Sequence, residues 1–190
     1  MLRFQFHDWP LPYAQSLSER ALDDDDLVVI HCTELPDLAT AREYGERVLH
    51  DDGSGNSGHF YVDRDGTLHR FVPETRLAHH TRGYNERSIG SELVNTGRYP
   101  DWFDTRRQMM TEPYPPAQID ALLSLLPLLR DECPNLHRIA GHEDLDTGKV
   151  PASDDPSRQV FRKRDPGPMF PWDEVLRACG LQRWVPHASI

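Results

Sequence analysis

The chain has 190 residues, the size of one ordinary domain. We expect a single domain over residues 1–190, with its motifs at about 27–178. A hydrophobic content of 37%, in apolar segments separated by turn signals, excludes a disordered chain. The formal net charge of -10, without a lysine- and arginine-rich face, argues against nucleic acid and anionic membranes as partners. Three cysteines without metal-ligand or disulfide-framework spacing predict reduced, structural thiols.

No targeting or membrane segment is visible. The stretch from Met1 to Trp9 interrupts its apolar residues with Arg3, His7 and Asp8, and no apolar run is long enough to span a bilayer. A cytoplasmic protein is therefore expected, with non-classical export left open. The acidic run 23–26 is interpreted as a solvated lead-in to a strand rather than as a cation site.

The apolar run 28–34 predicts a buried strand that carries His31 towards its C-terminal end. Open α/β sheets bind ligands beyond the carboxyl ends of their strands, so a histidine there is a candidate site residue. On its own, a hydrogen-bonded core histidine is the more common explanation. The functional reading of His31 therefore depends on partners later in the chain.

Local signals predict the next elements. Asp37 suits the cap of a helix over about 39–49, and the glycine-rich stretch 51–58 predicts a flexible loop. Residues 59–62 and 68–72 flank an Asp-Gly turn, which predicts a β-hairpin.

A second predicted strand contains a carboxylate. Residues 88–95 alternate enough to form a strand, and Glu92 within them lies either at a sheet edge in water or in a site that uses its charge. The charged loop 99–110 that follows holds Trp102 and Phe103, and it is interpreted as a lid or a groove wall.

The second half of the chain repeats the placement of His31. Residues 119–130 are strongly helical in pattern, and Pro127 is expected to kink this helix or to limit its first regular part. The run 137–142 then predicts a short strand that delivers His142 at its end. The two predicted strands therefore each deliver a histidine to a strand end.

These residues suggest a metal site. His31, His142 and one carboxylate of the proline-bounded loop 162–168 make a three-ligand set with an open fourth position, the pattern of a catalytic zinc site. Spacing alone is a weak signal, because the ligands lie far apart in the sequence. Asp144 and Asp146 remain chemically acceptable alternatives for the carboxylate.

Five segments, in order, carry a family resemblance. They are residues 29–31 (VIH), 58–66 (GHFYVDRDG), 88–93 (SIGSEL), 139–142 (IAGH) and 162–168 (RKRDPGP). They resemble the successive motifs of the AmpD-type N-acetylmuramoyl-L-alanine amidases, a zinc amidase family related to phage lysozyme-type amidases and peptidoglycan recognition proteins. The resemblance runs from about residue 27 to Trp172, and five ordered motifs are more specific than any one of them.

The resemblance implies both a fold and a chemistry. The implied fold is α/β, with a mixed central sheet flanked by helices on both sides. The implied site is one zinc ion bound by His31, His142 and Asp165, with Glu92 transferring protons and Lys163 stabilising the oxyanion. The implied substrates are peptidoglycan fragments (muropeptides), cleaved between N-acetylmuramic acid, or its 1,6-anhydro form, and L-alanine of the stem peptide.

Three further residues are assigned to the substrate side. Tyr61 is interpreted as a wall of the cleft, although a core tyrosine explains it equally well. His80 is expected to face the groove. His59 is interpreted as supporting the site or facing the substrate, because a fourth protein ligand would close the position that water needs.

The connection from His142 to Lys163 is longer than the family pattern. We expect its extra residues, about 146–161, to form a loop at the rim of the site, which leaves substrate preference open. The alternative function is a module that binds or senses peptidoglycan fragments without cutting them, and the full ligand set argues against it. A zinc peptidase or deacetylase is a third option, but His-Glu-x-x-His and Gly-x-Ser-x-Gly motifs are both absent.

Overall fold

A computed structural model describes residues 6–186. Within this range the chain forms nine strands and four α-helices. The strands are β1 (His7–Asp8), β2 (Leu27–Cys32), β3 (Phe60–Val62), β4 (Leu68–Arg70), β5 (Ser88–Leu93), β6 (Arg138–Gly141), β7 (Lys149–Pro151), β8 (Gln159–Phe161) and β9 (Gln182–Arg183). The helices are α1 (Leu38–Gly45), α2 (Pro116–Glu132), α3 (His142–Leu145) and α4 (Trp172–Cys179). None of the helices in this range is both long enough and apolar enough to cross a membrane.

Seven strands form one mixed sheet in the order β1-β4-β3-β5-β2-β6-β9. Only the β3–β4 pair is antiparallel, and it is the predicted hairpin. Strand β2 lies between β5 and β6, and all six of its residues are buried, as its apolar sequence predicts. The mixed central sheet confirms the predicted fold class.

Helices cover both faces of the sheet. Val28 and Ile30 of β2 pack in the largest apolar cluster, which includes residues of α2 and α4. Leu27 and Val29 point to the opposite face, where they pack with Leu145 of α3. Side chains alternate along a strand, so the residue after Ile30, His31, belongs to this second face.

Helix α1 is shorter than predicted. The Asp37 side chain accepts a hydrogen bond from the Thr40 backbone N–H at 2.7 Å, as expected of the cap. The helix ends at Gly45 instead of about residue 49. The chain turns back there, because the backbone N–H groups of Leu49 and His50 both bond to the Ser54 carbonyl.

Helix α2 continues through Pro127 to Glu132, so this proline does not limit the helix as the sequence suggested. A proline inside a helix removes one backbone hydrogen bond. Leu126 and Leu129 on either side of Pro127 are buried in the main core, and their burial offsets that loss.

One further expectation needs correction, and another is refined. The acidic run is not uniformly solvated, since Asp25 is fully buried with its Oδ1 2.9 Å from Arg20 Nη1. The segment 146–161, expected as a loop at the rim of the site, contains the two-stranded antiparallel hairpin β7–β8. The prediction of structural thiols is confirmed, as all three cysteines are free and buried.

Candidate metal and catalytic site

The register of three neighbouring strands places Tyr61, Glu92 and His31 side by side. His31 of β2 pairs with Glu92 of β5, and Glu92 pairs with Tyr61 of β3. On the other side of β2, Ile30 pairs with Gly141, so the next residue of the chain, His142, follows close to His31. Adjacent strands lie about 4.8 Å apart. The sheet therefore places residues from four segments side by side near the C-terminal ends of neighbouring parallel strands.

Asp165 completes a cluster with His31 and His142, called the metal-type cluster below. Its Oδ2 lies 3.0 Å from His31 Nδ1 and 3.1 Å from His142 Nδ1. One possible ligand atom from each residue lies within 4.8 Å of the others, and all three residues are buried. Among residues 6–186, this is the only such group of histidine, cysteine or acidic residues.

The alternative carboxylates are held elsewhere. Asp144 Oδ2 lies 2.6 Å from Arg183 Nη2 and accepts a hydrogen bond from the Gly141 backbone N–H. Asp146 forms an ion pair with Arg162. Neither residue belongs to the metal-type cluster, so the structure favours Asp165 among the three candidates.

The cluster fits a zinc ion on chemical grounds. The Oδ1 atom of Asp165 is buried and has no hydrogen-bond partner within the described part of the chain. Burial lowers the pKa of His31 to about 4, so its imidazole is in the neutral form that binds metals. Burial alone would raise the pKa of Asp165, but its interactions with His142 and His31 hold it well below the ordinary value. Two histidine imidazoles and a carboxylate are a typical set of zinc ligands.

Glu92 and Lys163 lie beside this cluster. Glu92 Oε1 is 3.9 Å from His31 Nδ1, and 14% of the Glu92 side chain is exposed. Burial raises the pKa of Glu92 to about 8, and the charge of Asp165 adds to the effect while Lys163 opposes it. A carboxyl group that titrates near neutral pH can accept and return a proton.

His80 lies behind His31. Its Nδ1 is 3.0 Å from His31 Nε2, and its Nε2 is 3.4 Å from the Ser88 carbonyl. Thr81 Oγ1 is also 3.3 Å from His31 Nε2, a contact that sequence reasoning missed. His80 therefore contacts His31 directly, and it also lines the cavity.

The other two predicted substrate residues have different surroundings. His59 is fully buried, where its Nδ1 accepts from the Gly90 backbone N–H at 3.0 Å and its Nε2 lies 3.1 Å from the Arg76 carbonyl. Tyr61 lines the cavity, and its ring stacks on Phe71 with centroids 4.0 Å apart. Tyr61 thus combines the wall and core roles that the sequence left open.

A cavity of about 710 Å³ opens over the cluster. Its lining includes the metal-type cluster, Glu92 and Lys163, together with Trp102 and Phe103 of the loop that the sequence suggested as a wall. Glu34 and Arg98 also line it. No signal in the sequence pointed to this last pair.

Comparisons with known proteins identify the family. The profile of the Amidase_2 family, described as N-acetylmuramoyl-L-alanine amidase, matches residues 23–168. The chain belongs to this family. Among curated proteins it is 35% identical over 127 residues to the N-acetylmuramoyl-L-alanine amidase AmiD of Escherichia coli K12. That match covers 60% of this chain but only 38% of AmiD.

Several solved structures share the fold. LysC from Clostridium intestinale is superimposable with a TM-score of 0.67 at 22% identity, over 95% of this chain and 100% of LysC. A complex of E. coli AmiD with anhydro-N-acetylmuramic acid-L-Ala-D-gamma-Glu-L-Lys gives 0.61 at 24% identity, over 85% of this chain and 59% of AmiD. Drosophila PGRP-LB gives 0.61 at 16% identity, over 96% and 99% of the two chains. The amidase and peptidoglycan recognition protein fold predicted from the motifs is confirmed.

Proposed function

We propose that this member of the amidase family is a zinc-dependent N-acetylmuramoyl-L-alanine amidase. Its reaction is hydrolysis of the amide bond between N-acetylmuramic acid, or the 1,6-anhydro form, and L-alanine in peptidoglycan fragments. The observation that carries the proposal is the convergence of His31, His142 and Asp165 beside Glu92 at the base of the cavity. The muropeptide bound by AmiD supports this class of substrate. A cytoplasmic location stays a prediction from the sequence.

The metal chemistry has a specific place in this arrangement. A zinc ion held by His31, His142 and Asp165 would supply a Lewis acid that polarises the amide carbonyl and acidifies a water molecule. Burial keeps the His31 imidazole neutral and so available as a ligand. The buried Oδ1 of Asp165, which lacks a partner in the described residues, provides a further acceptor.

Glu92 performs the proton transfers in this proposal. Its carboxylate accepts the proton of the attacking water and then donates it to the nitrogen of the departing L-alanine. The raised pKa of Glu92 makes its carboxylate a stronger base for the first half of this cycle, and the proton it takes up is then available to the departing amine.

Lys163 stabilises the negative charge that develops on the carbonyl oxygen. Lys163 lines the same cavity as Glu92 and Asp165, and its positive charge acts to lower the pKa of both carboxyl groups. A fixed donor aimed at an oxyanion typically contributes a rate factor of about 10²–10³. Tyr61 and the aromatic wall around Trp102 provide apolar surface for the fragment.

The proposal is tested with anhydro-N-acetylmuramic acid-L-Ala-D-gamma-Glu-L-Lys as substrate. Mass spectrometry measures the peptide that is released. We expect the zinc-loaded protein to release the peptide. Glu92→Gln should slow release by about 10²–10⁴-fold and keep its zinc, because it removes only the proton acceptor. Glu86→Gln is the matched control, since Glu86 is exposed and does not line the cavity. Binding of the fragment without cleavage would favour the sensing module. A protein that neither binds nor cleaves the fragment would refute the proposal.

A further inference from the structure

Glu34 and Arg98 form a buried ion pair at the edge of the cavity. Arg98 Nε donates to Glu34 Oε1 at 2.6 Å, and Arg98 Nη2 donates to Glu34 Oε2 at 2.8 Å. The Arg98 side chain is only 1% exposed, and that of Glu34 is 9% exposed. Gly97 has a φ of +53°, and a Cβ atom on it would meet Glu34 Cγ at 2.6 Å. The pair therefore needs a glycine beside it.

Arg98 uses its other N–H groups on the segment that leads to the active site. Its Nη1 donates to the Phe161 carbonyl at 2.9 Å, and its Nη2 lies 3.3 Å from the Arg162 carbonyl. Phe161 is the last residue of the β7–β8 hairpin, and Arg162 immediately precedes Lys163. Arg98 thus binds the backbone carbonyl groups at the junction between the hairpin and the catalytic lysine.

Glu34, the other partner of the ion pair, lies beside β2. It follows β2, three residues after the ligand His31, and its backbone carbonyl accepts a hydrogen bond from Trp102 Nε1 at 3.1 Å. The ion pair therefore links the strand end that carries one ligand to the segment that carries Lys163 and Asp165.

Arginine is required for this geometry. Its planar guanidinium group presents five N–H donors, which serve a carboxylate and two carbonyl groups at the same time. A lysine retains the charge but has no planar fork and cannot reproduce the bidentate pair. Lys163, in contrast, has a flexible side chain, so the position of its backbone decides where the ammonium group can reach.

We propose that Arg98, locked by Glu34, is a positioning residue that fixes the backbone at Phe161 and Arg162 and thereby directs Lys163 towards the substrate oxyanion. This role rests on the proposed amidase function. It also assigns the β7–β8 hairpin a structural purpose, because the hairpin ends at the backbone that Arg98 holds.

The test is a double-mutant cycle of Arg98→Lys and Lys163→Met in the zinc-loaded enzyme. Arg98→Lys alone should lower kcat by about 10–100-fold with KM changed by less than about threefold, because a misplacement of about 1 Å costs up to about 10²-fold. In the Lys163→Met background, Arg98→Lys should change kcat by less than about twofold, since the residue through which it acts is gone. The same factor in both backgrounds would overturn the proposal.

Arg42→Lys is the matched control. Arg42 is also a buried arginine that binds a glutamate, Glu46, at 2.7 Å and two consecutive carbonyl groups, those of Trp9 and Pro10. It does not line the cavity, so its substitution should lower Tm without lowering kcat. An equal loss of kcat in Arg42→Lys would reduce the effect at Arg98 to general destabilisation and contradict the proposal.

If Arg98→Lys does not fold, Glu34→Gln replaces it in the cycle, because it weakens the bidentate ion pair and leaves the arginine in place.

Two outcomes separate a failure of the proposed function from a failure of the role of Arg98. An inactive wild-type enzyme that is fully loaded with zinc would refute the proposed function and this proposal together. An active wild type with an additive cycle would refute only the role of Arg98.

Discussion

The two ends of the central strand β2 face buried carboxylates in different surroundings. Before its N-terminal end, Asp25 lies 2.9 Å from the guanidinium group of Arg20, which is itself buried. Beyond its C-terminal end, Asp165 contacts the imidazole rings of His31 and His142. Burial keeps His31 neutral, so it does not supply the positive charge that a buried carboxylate needs. The chain provides a cation at one end, and at the other it provides a donor set that fits a metal ion.

The arginine at the N-terminal end also serves the backbone. Arg20 donates to the carbonyl groups of Glu74, Asn85 and Ser88 at 2.8–2.9 Å. Removing one partner of such a buried network destabilises the fold, whereas removing a metal ligand removes the chemistry. Substitutions at the C-terminal end of β2 should therefore act mainly on activity, and those at the N-terminal end mainly on stability.

The largest effect is expected from Asp165→Ala. Loss of this ligand should abolish stoichiometric zinc binding and lower kcat/KM by at least about a thousandfold, because bound zinc contributes several kcal/mol to transition-state stabilisation. Zinc content by mass spectrometry and peptide release measure the two effects. The control is Asp144→Ala, whose carboxylate is held by Arg183 and should leave zinc content unchanged. Normal zinc in Asp165→Ala would assign the carboxylate ligand elsewhere.

A smaller effect is expected from His80→Phe. Asp165 faces Nδ1 of His31, so a zinc ion held by the two would leave the proton of this imidazole on Nε2, 3.0 Å from His80 Nδ1, which would accept it. The His80 ring packs against Gly90 so closely that a Cβ atom added to this glycine would lie 2.7 Å from the ring. Phenylalanine fills the same space, but it cannot accept this proton. Zinc affinity, measured by competition with a chromogenic chelator, should fall by about 10–100-fold.

The neighbouring residue provides the control for this prediction. His79 lines the same cavity but is not among the hydrogen-bond partners of His31 in the described residues. His79→Phe should therefore keep wild-type zinc affinity. Equal losses in both variants would indicate a general disturbance of the cavity and not a lost hydrogen bond.

The smallest effect concerns stability at the other end of β2. Burial raises the pKa of Asp25 to about 7, although Arg20 opposes the shift. Between about pH 4 and pH 7 the folded chain keeps this proton while the unfolded chain releases it. The free energy of unfolding therefore falls as pH rises through this window, by at most about 4 kcal/mol from this group.

Substitution isolates this contribution. Thermal unfolding of Asp25→Asn should depend less steeply on pH between 4 and 7 than that of the wild type, because the titrating group is absent. Asp24→Asn removes an exposed neighbour and should keep the wild-type slope. Identical slopes for Asp25→Asn and the wild type would show that Asp25 titrates normally.

The strand ends of the site could be predicted from the sequence, whereas their side-by-side arrangement could not. Apolar runs mark β2 and β6, and each run ends close to a histidine, so His31 and His142 were identifiable. The register that sets Glu92 beside His31 depends on which strands are neighbours, and local pattern does not encode this. Asp165 was singled out by family resemblance, and the structure adds the physical reason that arginines hold the competing aspartates.

The missed features rest on contacts between distant residues. Glu34 and Arg98 are 64 positions apart, and each by itself is typical of a solvated charge. The early end of α1 is set by Ser54, which lies outside the helical pattern. The burial of Asp25 likewise follows from the placement of Arg20 and not from the acidic run around it.

Dependence of the reaction on zinc bound by Asp165 is tested best by a zinc titration of the metal-free protein, with release of the stem peptide measured at each step. Activity should rise linearly and reach its maximum at one zinc ion per chain, with no rise in Asp165→Ala. Full activity in protein that contains almost no zinc, or an equal rise in Asp165→Ala, would contradict this dependence.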